Sequence, residues 1–134
     1  MTQASSDSPQ RRRAEFHLAR AGSYLQDANL MLERYNKLYS AAALLYESAK
    51  QCINAVANLN GQNPGAVGAK RAYLRSLARQ YPGNQFNLIR GWEFATRLHI
   101  HADRGHLAGD LFRDAWQVTQ AFIDDMLTIY DANR

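Results

Sequence analysis

From Leu18 onward the apolar residues recur in alternating steps of three and four. Leu18, Ala21, Leu25, Ala28, Leu32 and Tyr35 follow this spacing, which puts them on one face of a helix. Arg20, Gln26, Asp27 and Glu33 fall largely on the other side. After the break at "RYNKLYS" the period resumes and predicts a second helix over 38–59, with Ala42, Leu45, Tyr46, Ala49, Ile53 and Val56 inward. Its alanines favour helix and let a neighbour approach closely. "NGQNPG" ends it, because Gly61 can take the left-handed stop and Pro64 cannot continue a helix. A shorter third helix is expected over 66–80, using Val67, Leu74, Leu77 and Ala78. A fourth is expected over 85–101, and a fifth over 108–131 with Leu111, Ala115, Val118, Phe122, Met126 and Ile129 on one side. No alternating run bounded by turns argues for a strand. The tight connection between the first two long helices makes them antiparallel. The pattern therefore predicts an all-α fold, an up-and-down bundle of four main helices plus a shorter fifth. Residues 1–13 lack the period and are expected to form a disordered tail, which leaves 14–134 as one domain.

Composition narrows this picture in two ways. The single cysteine, Cys52, excludes an internal disulfide and a cysteine-based zinc cage, and lying beside Ile53 it reads as a buried thiol. No apolar run approaches the roughly 20 residues that span a bilayer, and the polar start does not read as a signal peptide. A cytoplasmic protein with no membrane contact is the expectation.

Charge is less even than the net +4 implies. Lys70, Arg71, Arg75, Arg79, Arg90, Arg97 and Arg104 are opposed only by Glu93 and Asp103 in that part of the chain. Arg71, Arg75 and Arg79 repeat every four residues and form a stripe suited to phosphates along a strand. Arg104 and His106 extend the candidate phosphate-binding set. Tyr73, Tyr81 and Trp92 are candidates for base stacking, although core roles are commoner for such residues.

"RLHIHADRGHLAGDLF" concentrates His99, His101 and His106 around Asp103. The string is similar to the His-x-His-x-Asp-His signature of metallo-β-lactamase-like hydrolases, whose ligands sit on a loop after a strand. On a helix, His99 and His101 lie about 200° apart round the axis and do not share one ion, so no metal and no cofactor is expected. Arg97 and His101, at i and i+4, do share a face. An arginine steadying a phosphate beside a histidine that moves a proton would suffice for RNA cleavage without a metal.

Two segments carry a resemblance over about 16–130: "YSAAALLYESAKQCINAVANLNG", an alanine-rich helix ending at glycine, and "RLHIHADRGHLAGDLFRDAWQVTQAFIDDM", a turn leading into a final amphipathic helix. Together they resemble the HEPN family of helical domains (higher eukaryotes and prokaryotes nucleotide-binding), in particular its small prokaryotic members. The resemblance implies a compact bundle, a homodimer and, in many members, RNA cleavage within toxin–antitoxin systems. Catalytic members place four to six residues between an arginine and a histidine. Here Arg97 and His101 have three between them, and Arg97 and His106 have eight. The expectation is thus a non-catalytic, homodimeric binding protein for RNA, a nucleotide or a protein partner. A leftover apolar stripe on the last helix would drive dimerisation. The alternative is a metal-independent endoribonuclease using Arg97 and His101, accompanied by an antitoxin or a nucleotidyltransferase-like protein.

Overall fold

Two sets of small residues, seven apart, bring the first two helices together. In the computed structural model, which describes residues 8–82 and 87–134, α1 (Pro9–Glu33) buries Ala14, Ala21 and Ala28 and little else completely. On α2 (Leu38–Leu59), Ala41, Ser48 and Ala55 recur at the same interval and are all buried. The Ser48 hydroxyl donates to the Ala21 carbonyl over 2.8 Å. That register sets Ala14 opposite Ala55 and Ala28 opposite Ala41. His17 on Gln51 and Arg13 on Asn58 confirm the antiparallel sense. A side chain reaching a neighbouring helix's main chain requires axes at the close end of helix packing, about 8 Å, which only small residues permit.

α2 is the centre of the molecule. Gln51 to Leu59 are buried without interruption, and α2 touches each of the other helices, whereas α1 packs closely on α2 alone. Opposite α1 lie α4 (Leu88–Arg104) and α5 (Gly109–Asn133). Tyr39 against His101 and Tyr46 against Trp92 make α2 and α4 antiparallel. Gly91 against Phe122 and His101 against Phe112 do the same for α4 and α5. The short α3 (Val67–Ala78) is held at one end, where Asn60 donates to the Tyr73 hydroxyl at 2.8 Å and the Trp92 indole points at the Val67 carbonyl at 3.4 Å. Between α1 and α5 runs an open apolar cleft. Leu18, Leu25, Ile123 and Leu127 line a cavity of about 190 Å³ there. Leu32, Leu38, Phe112 and Trp116 line another of about 360 Å³. The described residues contain no strand, and no described helix is long and apolar enough to cross a membrane.

Several expectations need correction. The first helix starts before residue 14. Helix α1 begins at Pro9, with the Ser8 hydroxyl accepting from the Arg11 N–H at 3.0 Å. Ser-Pro supplies a cap and a first-turn proline, a helix start hidden within a polar stretch. The part of the expected tail over 1–7 lies outside the described residues. The fourth helix, expected over 85–101, runs from Leu88 to Arg104, and Gln85 lies outside the described residues. On α1 the leucines of the expected core line are only half-buried, and Tyr35 is beyond the helix and exposed. On α5 the buried stripe turns toward Phe112, Trp116, Thr119 and Ile123, which leaves Leu111 exposed. Val67, expected inward, is also exposed.

Candidate functional site

The histidine segment is a helix terminus followed by a turn, built around one imidazole. Gly105, at φ 61°, takes the left-handed conformation that ends α4, and its N–H bonds the His101 carbonyl at 2.8 Å. The chain then folds back so that the Leu107 N–H donates to Nδ1 of His101 at 2.9 Å. An accepting Nδ1 puts the proton of the neutral ring on Nε2. The ring is buried, with Tyr39, Phe112 and His106 at centroid distances of 5.1, 5.3 and 5.9 Å. Burial, and secondarily the neighbouring His106, holds its pKa below the ordinary 6.5. His101 is therefore a neutral structural acceptor near neutral pH.

The other members of the segment are spread apart. Arg97 is exposed, its guanidinium carbon 4.4 Å from the Phe94 ring centroid, and Arg90 covers the same ring at 5.0 Å. His99 is exposed at its edge and stacks on Tyr46 at 4.2 Å, and Tyr46 in turn stacks on Trp92 at 5.5 Å. His106, Asp103 and Arg104 are exposed. Among the described residues no group of three or more His, Cys, Asp or Glu is arranged to hold a metal ion. Cys52 is buried, and burial pushes its thiol up to about 12.

The basic residues divide into two kinds. Arg75 on α3, Arg79 at its C-cap, and Arg90, Arg97 and Arg104 on α4 are exposed. Arg71 is partly buried, and its Nε finds no hydrogen-bond partner. Lys70 belongs to the same run of sequence but turns inward, its Nζ donating to the carbonyls of Pro64 and Gly65 at 2.8 and 2.7 Å. Its pKa is lowered, first by burial and then by the charge of Lys50. Lys70 fastens the loop after α2 and takes no part in the outward charge. A lysine in line with Leu74 and Leu77, at i, i+4 and i+7, was the signal that could have revealed this. Tyr73 and Trp92 are buried, so neither offers a free ring face to a base.

The ion pairs sharpen the picture. Among the described residues they are Arg11–Glu15, Lys50–Glu47, Arg113–Asp110 and Arg134–Asp131. They lie on α1, α2 and the ends of α5. No described carboxylate pairs with an arginine of α3 or α4. Seven-residue spacing carries Arg90, Arg97 and Arg104 along one side of α4, about 10 Å apart.

No protein-family model, curated protein or solved structure matches the chain.

Proposed function

We propose that the protein is a non-catalytic, HEPN-like binding module that engages RNA along α3 and α4 and works as a homodimer. Its four long helices then form the up-and-down bundle, with α3 as the shorter fifth, and a cytoplasmic setting suits the same reading. One observation carries it: among the described residues no carboxylate pairs with a guanidinium of α3 or α4, whereas the ion pairs lie on the other helices. Unneutralised cations along two adjoining helices suit a polyanion, since each phosphate contact releases counterions. Phe94, flanked by Arg90 and Arg97, adds an aromatic edge among those charges. A non-catalytic role is favoured because His101 is buried and spends Nδ1 on a backbone amide, leaving a poor proton carrier beside Arg97.

The test is retention of a labelled single-stranded RNA, with cleavage followed in the presence and absence of chelator. Binding that weakens on combined Arg71→Glu, Arg75→Glu and Arg79→Glu, with the RNA intact, is the expected result. Unchanged retention would overturn RNA binding and shift attention to a protein partner. Chelator-resistant cleavage lost in His101→Asn would establish the endoribonuclease reading instead, and with it the search for an antitoxin or nucleotidyltransferase-like partner.

A further inference from the structure

Between the loop after α2 and the open side of α3 lies a cavity of about 570 Å³, larger than either hollow of the α1–α5 cleft. Its lining is of two kinds. Ala69, Ala72 and the Pro64 ring give small apolar surfaces, with the buried Tyr73 ring behind them. Gln62, Asn63 and Ser76 are exposed and bring two amides and a hydroxyl to the same space. The Gln62 N–H bonds the Ala57 carbonyl at 2.9 Å, and the Asn58 side-chain amide reaches Oδ1 of Asn63 at 3.5 Å. Both residues therefore rest against the end of α2. Among the described residues nothing takes up the Gln62 side chain, Nδ2 of Asn63 or the Ser76 hydroxyl.

The sequence around this cavity carries no acid. No Asp or Glu lies between Glu47 and Glu93, a span that holds the whole loop and all of α3. α1 meets the loop with Gln10, beside Gly61, and with Arg13, whose Nε donates to Asn58 at 3.4 Å. Arg75 follows Ala72 by three positions and Arg79 follows Ser76 by three, so two exposed guanidiniums flank the floor. A flat ring with donors and acceptors on its edge suits such a space. Its face gains apolar contact, its edge meets the amides and the hydroxyl, and the phosphates joined to it find cations alongside. A purely aliphatic ligand would instead bury those polar groups unpaired.

We propose that this cavity holds one unpaired base of the RNA, read at its edge by Gln62, Asn63 and Ser76 while Arg75 and Arg79 hold the adjoining phosphates. The inference rests on the RNA binding proposed above and adds selectivity to it, since phosphate contacts position a strand and base contacts specify it. The strand is single there, because a paired base has no Watson–Crick edge to offer.

Retention of labelled A, C and U homopolymers, and of a U strand carrying one G, by the full chain tests it. At least about tenfold is expected between the tightest and the weakest. Gln62→Ala with Asn63→Ala brings the tightest down to the weakest. The slope of log binding constant against log salt stays as it was, because no charge is lost. Ala72→Leu fills the cavity from its floor, removes no hydrogen-bonding group and levels the affinities in the same way. Residue 72 is exposed, so circular dichroism is expected to be unaltered. Equal retention of all four strands, or a preference that survives either variant, overturns the base pocket and leaves RNA binding along α3 and α4 standing. Retention of none of them ends both readings.

Discussion

The Leu107 amide donates to Nδ1 of His101 across 2.9 Å, so the turn that joins α4 to α5 is held by an imidazole that must stay unprotonated there. The folded-state pKa of His101 lies below its ordinary 6.5, with burial as the main cause. The unfolded chain therefore binds the proton more readily. The stability His101 contributes is fully present above pH 6.5 and is lost as pH falls through the folded value. Thermal melts between pH 8 and pH 5 are expected to show a steeper acid loss for the wild type than for His101→Asn, which keeps an acceptor oxygen and does not titrate. Parallel curves would remove His101 as the cause.

A second close relationship fixes the α4–α5 crossing. A Cβ built on Gly91 would sit 2.5 Å from Cβ and Cδ1 of Phe122, which is itself buried. Gly91→Ala gains up to about 1 kcal/mol of helix propensity, yet overpacking of this kind costs about 1–3 kcal/mol. The net expectation is destabilisation in urea unfolding. A Gly22→Ala control, whose added methyl meets nothing within 4 Å, should stabilise or leave the protein unchanged.

Much of this was legible in the sequence, and the gaps have physical causes. The 38–59 helix was read to its observed ends, because a central helix carries apolar residues through to a strong glycine–proline stop. Helix α1 was harder. Leu18, Leu25 and Leu32 share the seven-residue spacing of Ala14, Ala21 and Ala28, and no single-helix rule tells the two stripes apart. The choice is made by α2, whose Ala41, Ser48 and Ala55 accept only small residues at close range. That information lies in the pair of helices and not in either one. The histidine segment likewise showed its residue types but not their roles, since the bond from Leu107 exists only once Gly105 has turned the chain. Charge counting placed Lys70 with its basic neighbours, because a side chain's direction is set by the fold and not by its local company.

Lys70 offers a direct separation of those roles. Its two bonds to the carbonyls of Pro64 and Gly65 close the loop after α2. Lys70→Met keeps much of the stem and removes both bonds, with an expected cost of about 1–3 kcal/mol. Hydrogen exchange at 61–66 should accelerate. RNA retention should not change, because the ammonium faces inward. Loss of RNA binding without faster exchange would place Lys70 on the ligand instead.

The arginines of α3 and α4 should behave in the opposite way. Arg75 and Arg79 are exposed and form no ion pair among the described residues, so reversing them disturbs little of the fold. If each meets one phosphate of a single strand, each loss flattens the plot of log binding constant against log salt by about 0.7. Arg75→Glu with Arg79→Glu is therefore expected to reduce the slope by about 1.4 and to leave the urea midpoint where it was. Phe94→Ala acts differently, because it removes the ring beneath Arg90 and Arg97 and leaves both charges in place. It should weaken retention at every salt concentration with the slope unchanged. A slope that stays constant in the arginine variants would mean that the ligand of this surface is not a polyanion.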